Sequence, residues 1–162
     1  MKKFLLLFFL FPVIFSSAAA EVRAEDWKDI KLSTTDGSFS INDLKGKTVL
    51  LMFWATWCPH CKNQIPALSL LKNSYSSINN LEILAVSTDE DGVPAVQNFY
   101  QTQNITNLPV IIDNDSNLFK NMGFSGIPTV VLISKESKIL GIYRGLQNFD
   151  IQYLDKVLGK NV

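Results

Sequence analysis

The sequence is poor in the residues that several classes of protein require. It has two cysteines and one histidine among 162 residues, too few for a disulfide-dense miniprotein and a poor ligand set for a metal. Its fifteen basic and fifteen acidic residues cancel, so no basic excess predicts binding to nucleic acid. The chain also lacks internal repeats. With 47% hydrophobic residues, its composition is that of one globular domain with a substantial core.

The N-terminal segment has the pattern of a signal peptide. Two lysines precede an apolar run, Phe4 to Phe15, and an A-x-A cleavage pattern ends at Ala20. This run is shorter than the roughly twenty residues that span a bilayer, although the following serines and alanines leave an uncleaved anchor open. We expect residues 1–20 to be a signal peptide or an anchor, and residues 21–162 to form a periplasmic domain.

Apolar patterns predict an alternation of strands and helices after that segment. An N-terminal hairpin is expected, with strands Ile30–Ser33 and Phe39–Ile41 and its turn at Asp36-Gly37. The apolar run 48–54 is typical of a strand buried on both faces. The further predicted strands are 81–87, 110–112, 129–133 and 138–143, and the predicted helices are 59–75, 93–100, 117–122 and 151–158. The last strand should pair antiparallel. The fold class is therefore an α/β sandwich with a mixed central sheet.

A Cys-x-x-Cys pair carries the chemistry. Cys58 follows a buried strand, and Pro59 suits the first position of a helix, where a missing N–H costs nothing. The helix N-terminus stabilises a thiolate on Cys58, and Cys61 lies within bridging reach on the same face. We predict that Cys58 attacks and that Cys61 resolves the mixed disulfide. A purely structural bridge is the alternative, but so small a loop restricts little chain entropy.

The neighbours of the two cysteines are candidates for tuning the pair. His60 lies between them, where an imidazole would stabilise the Cys58 thiolate; the alternative is an exposed turn residue without a role. Pro59 occupies the other intervening position, and Trp57 flanks the pair. With a single histidine in the chain, a paired general base is not expected.

The segment Phe53–Lys62 resembles the thioredoxin superfamily, in particular its exported TlpA-like and DsbE-like thiol–disulfide oxidoreductases. The resemblance extends from about residue 27 to residue 158. It implies a thioredoxin-like α/β/α sandwich with an N-terminal β-hairpin and a TlpA-type helix–strand insertion at Gly92–Ile112. It also implies that Ile127 and Pro128 form a cis peptide bond against the cysteines, with the Ile127 backbone binding substrate.

Two departures from the family leave the direction of electron flow open. Met52 stands where thioredoxin has a buried acid, and Gln64 stands where many TlpA-like reductants have a glutamate. Pro59-His60 is instead the dipeptide of the DsbA-like oxidants. The potentials of thioredoxin and DsbA differ by roughly 150 mV, or about 7 kcal/mol for two electrons. We expect an intermediate potential, more oxidising than that of thioredoxin.

The resemblance implies an enzyme without a cofactor that reduces specific exported proteins, such as apocytochrome c, and exchanges electrons with a membrane redox partner. A monomer is expected. A DsbA-like oxidant of secreted proteins is the first alternative. A copper-binding chaperone is a second, although the single histidine lies inside the cysteine pair. A peroxiredoxin-like peroxidase is a third, although a tryptophan-flanked Cys-x-x-Cys is the wrong pattern for it.

Two acidic segments are predicted to have structural rather than catalytic or metal-binding roles. Asp89, Glu90 and Asp91 are predicted to be a solvated cluster that caps the following helix. The segment 113–115 resembles the beginning of a calcium loop, but it lacks the later glycine and glutamate and is predicted to be a helix-start turn.

Overall fold

A computed structural model describes residues 26–75 and 80–145. The predicted signal peptide and the predicted helix 151–158 lie outside these ranges. The strands are β1 (Leu32–Thr34), β2 (Gly37–Phe39), β3 (Thr48–Trp54), β4 (Leu81–Ser87), β5 (Ile111–Ile112), β6 (Thr129–Ile133) and β7 (Ile139–Arg144). The α-helices are α1 (Pro59–Ser74), α2 (Gly92–Thr102) and α3 (Asn117–Asn121). Short 3-10 helices cover Asp26–Asp29, Ile41–Leu44 and Asn114–Ser116.

The strands form one mixed sheet in the order β2-β1-β5-β4-β3-β6-β7. Strand β3 pairs parallel with β4 over seven residues and antiparallel with β6 over five. All seven residues of β3 are buried, as expected for a strand covered on both faces. The mixed α/β sheet predicted from the sequence is thereby confirmed.

The strands of the hairpin and of the insertion are neighbours at one edge of the sheet. The hairpin pairs Leu32 with Phe39, and its loop is residues 35–36, one position earlier than predicted. The insertion consists of α2 and β5, and β5 pairs parallel with β4 and antiparallel with β1. The insertion therefore joins the N-terminal hairpin to the central strands.

Each face of the sheet carries its own hydrophobic core. Along β3, Met52 and Trp54 pack with α1 and α2, whereas Leu51 and Phe53 pack with α3 on the opposite face. This follows from the two-residue period of a strand. Two buried layers hold β3 in register, and the end of β3 is consequently a rigid base for the segment that contains Cys58. Within residues 26–75 and 80–145, no helix is both long and apolar enough to cross a bilayer.

Candidate active site

Cys58 and Cys61 are joined by a disulfide at the start of α1. Cys58 is the N-cap residue, in an extended conformation, and Pro59 is the first helical residue. The N–H of Cys61 donates a hydrogen bond to Cys58 Sγ across 3.2 Å. A free backbone N–H aimed at the sulfur, together with the positive end of the helix dipole, stabilises negative charge there. The predicted placement of the pair at a helix N-terminus is confirmed.

The two cysteines differ in exposure to solvent. Cys61 is fully buried, whereas Cys58 retains 5% of its surface. Pro59 and His60 are exposed, and Trp57 is 66% exposed. Of the two cysteines, only Cys58 has any surface that an incoming sulfur could reach. No hydrogen bond engages the His60 side chain in the part of the chain that the structure describes.

The Ile127–Pro128 segment packs against the disulfide. The peptide bond between these residues is cis, as the family resemblance implies. The carbonyl oxygen of Ile127 lies 4.0 Å from Cys58 Sγ. Two hydrogen bonds hold the segment: Thr129 Oγ1 donates to the Gly126 carbonyl at 2.6 Å, and the Gly145 N–H donates to the Pro128 carbonyl at 2.9 Å. The segment and the redox pair thus form one surface.

An open cleft of about 660 Å³ extends from this surface. Its apolar walls are Trp57, Phe119 and Ile127. The polar lining comes from Thr88, Asp89, Glu90, Asp91, Ser116, Ser125 and Gly126. A cleft bounded by an exposed tryptophan and by the Ile127 backbone has room for an extended peptide segment beside the disulfide.

The prediction of a solvated acidic cluster at residues 89–91 holds for Glu90 and Asp91, which are exposed, and is wrong for Asp89. Its side chain is buried, and it accepts hydrogen bonds from Thr56 N–H at 2.9 Å and Thr56 Oγ1 at 2.6 Å. Ser87 Oγ donates a further bond at 2.6 Å. Asp91 occupies the N-cap position of α2 but makes no side-chain capping bond. Parallel β3 and β4 end at the same edge, which brings residue 89 to residue 56; the sequence contained this signal only through the strand order.

The two positions that depart from the family lie in the core beneath the cysteines. Met52 is fully buried in β3, and Gln64 is buried on α1, one helical turn after Cys61. Neither side chain titrates, so neither can exchange a proton with Cys61. Within the described residues, no cluster of three histidine, cysteine or acidic side chains is arranged to hold a metal.

Comparisons with known proteins agree with this geometry. A model of the AhpC/TSA family matches residues 24–142. The chain is 31% identical over 137 residues to the thiol-disulfide oxidoreductase ResA of Bacillus subtilis, covering 84% of this chain and 75% of the relative.

Two solved structures are also similar. The exposed lipoprotein thioredoxin of Streptococcus pneumoniae has a TM-score of 0.69 at 26% identity, covering 82% of this chain and 98% of the other. A thiol:disulfide interchange protein of the thioredoxin family from Chlorobium tepidum has a TM-score of 0.65 at 27% identity, covering 81% and 91%. The thioredoxin-like fold expected from the sequence is confirmed.

Proposed function

Because the chain belongs to the AhpC/TSA family of thioredoxin-like proteins and is a thiol–disulfide oxidoreductase, we propose that it reduces disulfides in a small set of extracytoplasmic proteins, such as apocytochrome c. The observation that carries the proposal is the position of Cys58, whose 5% accessible surface lies beside Ile127 at the edge of a cleft. The N-terminal pattern of a signal peptide, and a similar protein described as an exposed lipoprotein, support the location outside the cytoplasm, in the periplasm.

The proposed reaction begins with the reduced enzyme. The Cys58 thiolate attacks one sulfur of the substrate disulfide, and the other substrate sulfur leaves as a thiolate that takes up a proton. Cys61 then loses its proton and attacks Cys58 Sγ, which releases the second substrate sulfur. Two electrons and two protons pass to the substrate, and the enzyme is left with the disulfide seen here. A dithiol donor, which we place in a membrane redox partner, restores the reduced form.

Substrate binding is assigned to Ile127 and Pro128. Among residues 26–75 and 80–145, no hydrogen bond engages the Ile127 N–H. This donor and the neighbouring carbonyl, 4.0 Å from Cys58 Sγ, are suited to pair with an extended backbone, as in the addition of a strand. Such pairing would hold the substrate cysteine over Cys58, and Trp57 would cover the flanking residue.

A DsbA-like oxidant is the second candidate, because Pro59-His60 is exposed at the helix start. That activity calls for a broad apolar surface that receives unfolded chains. Between β4 and β6 the structure has only α2, β5, a short 3-10 helix and α3. Most residues that line the cleft are polar, which favours a narrow set of partners over unfolded chains.

The direction of transfer can be measured with two substrates. The reduced protein is mixed with oxidised apocytochrome c, and the oxidised protein with a reduced, unfolded secreted protein. We expect reduction of the apocytochrome disulfide to be faster than disulfide formation in the unfolded protein. The opposite order of the two rates would favour the oxidant. Titration of the Cys58–Cys61 couple against glutathione should give a potential above that of thioredoxin.

A Cys61→Ala variant tests the roles of the two cysteines in the same assay. It should accumulate a mixed disulfide with apocytochrome c through Cys58, because no resolving thiol remains. Cys58→Ala is the matched control and should trap little substrate. A substrate linked to Cys61 would reverse the assigned roles.

A further inference from the structure

Asp89 is a buried acidic residue that hydrogen-bonds to the segment just before the reactive cysteine. Its carboxylate receives two bonds from Thr56, and Thr56 precedes Cys58 by only two residues. Ser87 at the end of β4 completes the set, since its hydroxyl donates to Asp89 and accepts from the Asp89 N–H at 3.0 Å. One side chain thereby connects the ends of two adjacent parallel strands.

These bonds act on the turn that presents Cys58. The turn itself closes with one backbone bond, from the Cys58 N–H to the Ala55 carbonyl at 3.2 Å. Thr56 lies inside that turn, and the Thr88 N–H binds the Trp54 carbonyl at 2.9 Å just before it. Hydrogen bonds to a charged acceptor are about twice as strong as neutral ones. Asp89 is therefore the strongest side-chain restraint on the turn among the described residues.

The same carboxylate brings a negative charge near the sulfur. Two residues span at most about 7 Å, so the Asp89 oxygens that bind Thr56 lie within roughly 10 Å of the Cys58 backbone. No cation forms an ion pair with Asp89 in the part of the chain that the structure describes. The charged or titratable groups around Asp89 are Glu90 and Asp91 on the same loop, Asp115 and Lys120, which line a cavity with Asp89, and His60 and Lys62 at the start of α1.

We propose that Asp89 is a positioning residue for thiol–disulfide exchange: it holds the turn before Cys58 and, through its charge, opposes formation of the Cys58 thiolate. The proposal rests on exchange at Cys58 and not on the identity of the substrate. Asp89 supplies a negative charge near the redox pair. At the two positions where similar proteins carry an acid, this chain has Met52 and Gln64. By making the thiolate less stable, Asp89 lowers the potential and favours the reducing direction.

Asp89→Asn tests the role of the charge. At about 10 Å, loss of the charge should lower the midpoint of Cys58 alkylation against pH by roughly half to one unit, a threefold to tenfold change in thiolate fraction. The equilibrium with glutathione should shift toward the dithiol form. Asp113→Asn is the matched control, because buried Asp113 follows β5, one strand farther away, and binds the N–H groups of Leu118 and Phe119.

The control should lower thermal stability and leave the alkylation midpoint near that of the wild type. An unchanged midpoint in Asp89→Asn would overturn the assignment of the charge. An equal shift in Asp113→Asn would also overturn it, because the effect would then be general to buried carboxylates at this edge.

Thr56→Val tests the positioning role without removing the charge, and it keeps the proposal testable if Asp89→Asn does not fold. It deletes the 2.6 Å bond from Thr56 Oγ1. We expect kcat/KM with a protein disulfide to fall several-fold, and Thr56→Ser to restore it because serine keeps the hydroxyl. Wild-type kcat/KM in Thr56→Val would show that the bond does not position the turn and would overturn that role.

Discussion

The sulfur of Cys58 lies 4.0 Å from the carbonyl oxygen of Ile127, although 69 positions separate the two residues in the chain. The antiparallel pairing of β3 with β6 brings these residues together, because Cys58 follows the end of β3 and Ile127 precedes the start of β6. A substrate that pairs with the Ile127 backbone would therefore find its sulfur next to Cys58. The relationship joins the proposed substrate-binding segment to the proposed attacking cysteine.

Trp57→Ala should weaken binding of protein substrates. The indole is 66% exposed and forms a wall of the cleft, so its loss removes apolar contact with the residue that flanks the substrate cysteine. We expect KM for a protein disulfide to rise about fivefold to thirtyfold, a cost of roughly 1–2 kcal/mol. Stopped-flow assays with a small disulfide should give nearly wild-type rates.

Leu70→Ala is the matched control for Trp57→Ala. Leu70 is a comparably exposed apolar residue on α1, at 69%, and does not line the cleft. It should leave KM unchanged. If both variants raised KM equally, the cleft would not be the docking surface.

His60→Ala should make the disulfide harder to reduce. An imidazole between the cysteines stabilises the thiolate of the reduced form, and its removal favours the disulfide. The equilibrium constant against glutathione should shift by about threefold to tenfold, or roughly 15–30 mV. Asn63→Ala, at another exposed position of α1, serves as the control. Identical potentials for His60→Ala and the wild type would leave His60 without a tuning role.

Gln64→Glu should introduce a proton-exchanging group beside Cys61. The new carboxylate would be buried, which raises its pKa above the ordinary value of about 4.3. Because the folded-state pKa would lie above the unfolded one, stability should be least affected at pH 4 and fall as pH rises through the folded-state value. Chemical unfolding at several pH values measures this dependence.

The exchange rate of Gln64→Glu should also gain an ionisation in its pH profile between about pH 5 and 8. Gln101→Glu, at an exposed position on α2, should change neither the stability profile nor the rate profile. A Gln64→Glu profile superimposable on that of the wild type would show that position 64 has no access to the Cys61 proton.

Tyr100→Phe should reduce the sensitivity of the protein to alkaline pH. Burial raises the pKa of Tyr100 well above its ordinary value, and its hydroxyl has no hydrogen-bond partner among the described residues. The raised folded-state pKa means that full stability is present below the unfolded value of about 10 and is lost as pH rises beyond it. Phenylalanine removes this loss.

At pH 7, the Tyr100→Phe substitution should be neutral or stabilising by about 1 kcal/mol, since it removes a buried polar group without a partner. Thermal unfolding at pH 7 and at pH 10.5 measures both effects. A variant that is less stable than the wild type at pH 7, with an unchanged loss at high pH, would contradict this account.

The bounds of the central strands could be predicted to the residue from the sequence, whereas those of the short elements could not. β3, β4 and β6 have the predicted bounds, because each is a predominantly apolar run of five to seven residues. Ile41 was predicted in the hairpin but begins a 3-10 helix, since Asp43 accepts the Ser40 N–H at 2.7 Å. In three-residue segments, such a local side-chain bond outweighs a weak alternation of apolar residues.

The sequence by itself determined that the redox pair lies at the start of a helix. A buried strand, a proline at a helix start and two cysteines three positions apart are local features, so propensity and capping specify where Cys58 and Cys61 lie. The family resemblance implied that Ile127 lies against Cys58, although no local pattern did, and only the tertiary structure decided that Asp89 is buried against Thr56. Those contacts depend on the order and register of the strands, which are set by packing two cores at once and which no local pattern encodes.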